Sequence, residues 1–426
     1  MAAAWLAGVL PVLPLAVEAI EAVRAAAVRA GATGALADDP LDPERVAAAF
    51  GSSRLFRDGG LPPAAFGPLT GFFPTTDGWL RTHTVYPHHR QRLLELLGLD
   101  ATADRDAFAA RIAERSAAEL ENQSAAAGAI AVRVRSEADW RASAPGTAAG
   151  AGPLVAVRAR DDGPPARALA GGTRPLTGVR VLDLTRVLAG PVCGRTLALL
   201  GADVLRIDPP SLPENPLLYL DTGQGKRSAL LDLNVEAHRG RELLAAADVL
   251  VTGYRPGALD RFDLRPHPGL VRARVNAWGD AGPWADRRGF DSIVQAATGI
   301  SFIESPDGGA TPGSLPAEAL DHATGYLLAA AVIDALAARA VDGRGRDVQA
   351  SLARTAHWLL DHPGRDPYHP PAAVPTARAT VTHGRRTTAR PAIPGFDDYS
   401  YPARPWGADP AAFPGPRPAP VPGAGS

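Results

Sequence analysis

Residues 178–208, GVRVLDLTRVLAGPVCGRTLALLGADVLRID, carry the first chemistry legible in this chain. An apolar β-rich run ends at Thr185 and Arg186, a turn follows at Gly190-Pro191, and residues 192–200 have helical character up to Gly201. A second apolar strand then closes on Asp208. A strand feeding a helix through a tight turn gathers backbone N–H groups and the positive end of the helix dipole at one spot. That spot suits an anionic ligand. A dinucleotide is the obvious candidate, because an acidic residue closes the second strand. The turn, however, reads Ala189-Gly190-Pro191-Val192-Cys193-Gly194 and lacks the G-x-G-x-x-G spacing. Pro191 also removes an N–H that a pyrophosphate would use.

Two further residues invite chemistry. Lys226 is the single lysine among 44 basic residues. The arginine excess, with abundant Ala, Gly and Pro, reflects a GC-rich genome, and a surviving lysine invites a task that arginine cannot do. Chance explains it equally well. Asp321 stands just before a long Ala- and Leu-rich helical pattern at 323–340, where it reads as an N-cap. His322 adjoins it but points elsewhere, and His357 reads as a core residue beside Trp358.

The elements that must position these residues alternate. Strands at 227–233, 248–252, 270–277 and 346–352 are separated by helical segments at 236–246, 258–262 and 323–340. Such alternation implies a mostly parallel sheet with helices on both faces. The domain reading is an Ala-rich helical segment at 1–67 and a small α+β domain at 68–140. A linker at 141–175 leads to the core at 176–360, and a Pro- and Arg-rich tail at 361–426 runs as extended coil over a surface or is disordered. Within 68–140, Thr75-Thr76-Asp77-Gly78 is a hairpin signal before Trp79-Leu80.

Totals narrow the function classes. With 426 residues the length suits two or three domains. Hydrophobic content of 46% with 21% charged residues fits a soluble globular chain. A net charge of −1 favours neither nucleic acid nor an anionic membrane. One cysteine, Cys193, allows no intrachain disulfide and no CxxC metal site, which suits a reducing, cytoplasmic setting. The apolar opening residues 1–17 lack a basic leader and carry Pro11 and Pro14, so they read as a buried segment entering a helix at 17–30.

Taken in order, the opening segment, GKRSALLDL, ADVLVTGYRPGALDRF, NAWGDAGPWADRRGFDSIVQAATGI, LDHATGYLLAAAVIDALAAR and GRGRDVQASLA resemble the family III CoA-transferases, the CaiB/BaiF family. The resemblance covers 176–360, with 68–140 similar to the family's small domain, here placed before the core as in long bacterial members. It implies an open, mostly parallel Rossmann-like core with a smaller α+β domain, in an interlocked homodimer. It implies coenzyme A bound as acyl-CoA substrate, with Val187, Leu188 and Ala189 along its path and Tyr254, Arg261 and Phe262 in the same groove. Lys226 and Arg227 are chemically apt for its phosphates. Asp321 matches the family's nucleophilic aspartate. No metal is implied.

The activity implied is transfer of CoA from an acyl-CoA to a carboxylic acid through an aspartyl anhydride and an aspartyl-CoA thioester. A carboxylate attacking a thioester divides one difficult exchange into easier steps. Asp321 would be ionised at neutral pH unless burial raises its pKa, and a helix N-terminus would favour the charge. A 2-methylacyl-CoA racemase is the alternative, but its proton-moving histidine would fall where this chain has Phe290. A CoA-binding protein with little turnover is the third reading. The family's glycine-rich flap has no counterpart after 360, and Gly59-Gly60 and Gly171-Gly172 are short and elsewhere. Trp79, Tyr86, Trp284 and Phe290 are candidates to shape an acyl pocket or to pack in the core.

Overall fold

The computed structural model describes residues 3–62, 67–160, 163, 168–254 and 257–415. Helix α1 (Val12–Arg29) begins directly after Pro11, which occupies its N-cap position. It starts earlier than the composition suggested, because Leu15, Ile20 and Val23 form one buried face with the alanines between them. A short strand β1 (Arg57–Asp58) follows.

The small domain is an antiparallel sheet of β2 (Gly71–Thr75), β3 (Gly78–Thr82) and β4 (Ala131–Arg133), with β3 central. The expected hairpin turn joins β2 to β3. Its Asp77 accepts hydrogen bonds from Ser116 Oγ and from the Ala117 N–H (2.7 Å), anchoring the turn to a helix start. Helices α2 (Pro87–Leu96), α3 (Arg105–Ala113) and α4 (Ala117–Ala127) cover one face of the sheet. Phe73 and Leu80 on the strands meet Leu93, Leu94, Phe108, Ile112 and Leu120 there. Alternation along β3 turns Leu80 and Thr82 into this core and presents Trp79, Arg81 and then His83 to the other side.

Residues 141–175 differ from the linker reading. Two short helices, Glu137–Ala142 and Ala144–Gly150, lead to β5 (Val155–Ala159), which joins the main sheet as an antiparallel edge. The short strand legible in the sequence at 154–157 is thus an edge strand of the main sheet, and what the sequence does not reveal is its partner, far along the chain.

The main sheet continues with β6 (Arg180–Asp183), β7 (Asp203–Asp208), β8 (Arg227–Leu230), β9 (Val249–Thr252), β10 (Val271–Asn276) and β11 (Arg346–Ser351). Their spatial order is β5-β11-β10-β9-β6-β7-β8, all parallel except β5. Strands β6 and β9 are buried at every position, as parallel strands with helices on both faces must be. After β6 the chain moves to β7 and β8, then returns to lay β9 on the other side of β6. The strand order therefore reverses between β6 and β9, and the crevice beyond their C-terminal ends is the place where open α/β sheets bind ligands.

Helix α5 (Ala189–Leu199) leaves the turn after β6 and is buried along its whole length. Pro191 sits in its first turn, where a missing N–H leaves no gap in the helix ladder. Helix α6 (Asp291–Thr298) precedes α7 (Ala319–Asp342), the long helix across the sheet. Gly325 lets α5 approach α7 closely, since a Cβ there would stand 2.5 Å from the Ala189 carbonyl oxygen. Helix α7 is long and apolar enough to cross a membrane, but most of it is buried inside the protein as a core helix. Helix α8 (Leu352–Asp361) follows β11.

The Pro- and Arg-rich tail is ordered over the described residues to 415. Strands β12 (Thr380–His383) and β13 (Arg386–Ala389) form a hairpin that pairs with β1. Phe396 and Tyr399 enter the main core. Asp409 then exchanges backbone and side-chain hydrogen bonds with Ser228, covering the edge of β8.

Candidate active site

The turn after β6 is built on a buried ionic frame. Asp183 accepts hydrogen bonds from the Thr185 N–H (2.9 Å) and hydroxyl and pairs with Lys226 Nζ at 3.0 Å. Val187 then adopts φ of 70°, a left-handed conformation that costs a β-branched residue of order 1–3 kcal/mol. Its N–H donates to Glu214 Oε2 at 2.9 Å. Glu214 is in turn held by Arg206 (3.2 Å), Arg186 (3.5 Å) and the Tyr86 hydroxyl. Strain held by such a frame at a ligand crevice fixes the backbone from Val187 to Ala189.

Asp321 faces that turn. It lies in the first turn of α7, three residues beyond the N-cap position, since the helix begins at Ala319 with Glu318 at that position. Only 7% of Asp321 is exposed, and the Ala189 N–H at the start of α5 lies close enough to favour its charged form. The Asp321 N–H donates to Asp291 Oδ2 at 3.0 Å. Asp291 also accepts from the Gln295 amide, so with its bond from the Asp321 N–H it serves the helix start that Asp321 does not cap. Glu318 completes a group of three acids and accepts from Ser53 Oγ at 3.2 Å.

The charge state differs from the sequence expectation. Burial holds the Asp321 carboxyl well above the usual carboxylate range, and the charges of Asp291 and Glu318 push it further. Burial also pushes Asp291 up to about 7, against the lowering effect of its hydrogen bonds. Desolvation and like charge outweigh the helix N-terminus here. The two aspartates titrate as a pair. Removing the charge of Asp291 lowers the Asp321 pKa. The variant Asp291→Asn, which keeps an acceptor for the Asp321 N–H, is expected to move the acid limb of kcat/KM down by at least about one pH unit. A pH–rate profile of both proteins checks this.

Two cavities meet at Asp321. One, of about 460 Å³, is lined by Arg81, His83, Tyr86, Gln295, Glu318 and Asp291 among others. The second, of about 340 Å³, holds Arg186, Ala189, Gly190, Tyr254, Arg287 and Arg288. Val187, Leu188, Phe290 and Asp321 line both. Thus Val187, Leu188, Ala189, Tyr254 and Asp321 come together as the sequence suggested.

Four proposed ligand residues do not. Lys226 is 2% exposed and committed to Asp183 beneath the turn. Arg227 points along the β8 edge, pairs with Asp203 and donates to the Ala412 carbonyl of the tail. Arg261 is exposed above the Phe262 ring, and Phe262 is buried; neither lines either of these two cavities. The tight 3-10 turn Asp260–Phe262 carries both away from the crevice. Arg255 and Pro256 of the GYRPG turn lie outside the described residues.

Other assignments resolve into packing. His322 is buried against Phe50, and burial lowers its pKa to about 3, so its ring is neutral. His357 accepts a hydrogen bond from Trp140 Nε1 at 2.9 Å. Trp284 packs tilted against Trp140 and edge-on to Trp278, and Trp79 packs on the main core, whereas Tyr86 and Phe290 do line the cavities. Sequence reading missed Asp291, Glu214, Arg186, Arg287 and Arg288. Asp291 was within reach, because it directly follows Phe290 in a segment already singled out. The arginines were not, in a chain where nearly every cation is arginine.

The fold and crevice define an open α/β protein with a buried carboxylate between two cavities. Residues 176–386 match the model of CoA-transferase family III. Over 206 residues it is 36% identical to the acetyl-coenzyme A transferase nodX of Hypoxylon pulicicidum, covering 44% of this chain and 34% of that protein. Over 211 residues it is 34% identical to the succinyl-CoA–L-malate CoA-transferase beta subunit of Chloroflexus aurantiacus, covering 44% of this chain and 52% of that one. A crystal structure of Rv3272 from Mycobacterium tuberculosis aligns with a TM-score of 0.41 at 34% identity, over 44% of this chain and 58% of that one. The chain therefore spans about a third to a half of the length of these curated relatives.

Proposed function

We propose that this protein transfers coenzyme A from an acyl-CoA to a carboxylic acid, with Asp321 as nucleophile. The observation that carries the reading is the Asp321 carboxyl at the junction of two cavities, facing the N–H of Ala189 at a helix start. The family match over residues 176–386 and the relatives' names support it.

In this reading the acyl-CoA lies along the Val187–Ala189 turn and Tyr254, with Arg186, Arg287 and Arg288 in place of Lys226 and Arg227 as phosphate partners. The ionised Asp321 attacks the thioester carbonyl; its C–S bond breaks and CoA leaves as thiolate, giving a mixed anhydride. The thiolate then attacks the Asp321 carbonyl and releases the first acid. The acceptor carboxylate attacks the aspartyl-CoA thioester, and the returning thiolate opens the second anhydride to the new acyl-CoA. Ala189 N–H supplies a fixed donor where oxygen gains charge. The proton shared between Asp291 and Asp321 must reside on Asp291, or leave, for attack to begin.

The reading extends to a cytoplasmic homodimer, supported by the single buried cysteine and by the family resemblance. Incubation of the protein with single acyl-CoA donors and pooled carboxylic acids tests it by mass spectrometry. A new acyl-CoA is expected. Uptake of deuterium at the α-carbon of a 2-methylacyl-CoA, with no new acyl-CoA, would instead identify a racemase.

A further inference from the structure

We propose that the small domain supplies a phosphate seat to the second cavity, made of His89 and the start of α2 and facing Arg186 across the domain junction, and that a phosphate group of the acyl-CoA binds there. The inference rests on the transferase reading and adds a CoA ligand from outside the core.

Helix α2 begins with Tyr86 at its N-cap position, where no side chain accepts from the helix start and no acid stands in the first turn. The N–H groups of such a start carry the positive end of the helix dipole. His89 is the third residue of this helix and lines the cavity that also holds Arg186, Arg287, Arg288 and Tyr254. Only 6% of it is exposed, and its Nδ1 has no hydrogen-bond partner. Arg186 approaches from the core. Its guanidinium lies over the Tyr86 ring at 5.4 Å, and His89 meets the same ring edge-on at 5.9 Å between centres. Arg186 Nη2 donates to the Pro213 carbonyl at 3.0 Å, whereas its Nη1 is buried with no partner. Two polar groups from different domains thus flank one ring with hydrogen-bonding capacity unmet. Each costs stability unless a ligand completes it.

The charge pattern selects the ligand. Arg186, Arg287 and Arg288 line this cavity against a single acid, Asp321. Asp321 stands at the junction of the two cavities, where the thioester reacts, so the arginines are left for the anionic remainder of the substrate. Burial, with the charges of His88, Arg288, His83 and Arg92, lowers the His89 pKa to about 3, so its ring is neutral. A neutral imidazole adds an N–H donor without adding a further positive charge beside the arginines. His88 packs on it at 4.0 Å between ring centres and fixes its orientation. Phosphate oxygens accept readily from guanidinium and from a helix start. A phosphate held between His89 and Arg186 also ties the small domain to the core.

The test measures calorimetric binding of CoA, dephospho-CoA and pantetheine to the full chain in a phosphate-free buffer. CoA is expected to bind at least about ten-fold tighter than pantetheine. His89→Phe and His89→Leu, one larger and one more flexible, should each weaken CoA by at least about five-fold and leave pantetheine within about two-fold. His89→Gln keeps an N–H and should retain most of the affinity. Dephospho-CoA separates the two phosphate sources: the same loss with it assigns the diphosphate, and no loss assigns the 3′-phosphate. Unchanged CoA affinity in the two apolar variants overturns the proposal. So does an equal loss for CoA and pantetheine, the result that a purely packing role predicts. A wild-type protein that binds no CoA removes the transferase reading together with the seat, whereas CoA binding indifferent to His89 removes the seat alone. Binding needs no turnover, so failure of the nucleophile assignment would show separately, as a missing adduct on Asp321.

Discussion

Replacing Asp321 by Asn is expected to reduce CoA transfer by at least about 10³-fold while leaving acyl-CoA affinity within about three-fold. The amide is nearly isosteric and keeps an oxygen for the Ala189 N–H, so the turn and the α7 start should hold. What it cannot do is form an anhydride. The same change should also stabilise the fold above neutral pH. A carboxyl whose folded pKa is raised favours folding below its unfolded pKa, and that preference is lost as pH rises through the folded value. Asn carries no such penalty. Melting temperatures of the two proteins should therefore diverge as pH increases, with the variant higher. Equal turnover in Asp321→Asn would remove the nucleophile assignment.

Replacing Lys226 by Met is expected to destabilise the protein by about 3–5 kcal/mol, because it leaves Asp183 buried without its cation. Asp183 is fully buried and already accepts the Thr185 N–H, so it has no route to solvent. Space around the pair is tight: a Cβ at Gly194 would lie 2.5 Å from Asp183 Oδ2 and 3.0 Å from Lys226 Nζ. A longer, forked arginine would not fit the same slot, which gives a physical reason for the single lysine. Denaturant midpoints measure the effect, and the double variant Lys226→Met/Asp183→Asn should recover part of it. Were Lys226 instead a phosphate ligand, the single variant would lose CoA affinity with its stability unchanged.

Much of the frame was legible in the sequence. The alternation of apolar strands with helices foretold the parallel sheet, and Thr75–Gly78 foretold the hairpin, because both depend on local pattern. The turn at 187–189 and its relation to Asp321 were legible only with the family resemblance. Strand order was not, since the reversal between β6 and β9 is set by long-range packing. The same holds for β5, which pairs with β11 across almost the whole core, and for the tail that seals β8.

The errors at the site share one cause. Lys226, Arg227, Arg261 and Phe262 have the right chemistry for CoA, but residue type does not reveal which face of an element a side chain takes. Lys226 sits immediately before β8, and its side chain turns inward to Asp183. The charge state of Asp321 failed for a related reason. Its like-charged neighbour Asp291 arrives from a separate helix, and burial became visible only with the fold.

The central claim is that Asp321 forms a covalent intermediate. Mixing the protein with an acyl-CoA, quenching with hydroxylamine and mapping peptides by mass spectrometry tests it most directly. The account predicts a hydroxamate on the Asp321 peptide, dependent on acyl-CoA and absent in Asp321→Asn. Transfer of CoA to a carboxylic acid with no adduct at Asp321, or with the adduct on another carboxylate, would contradict it.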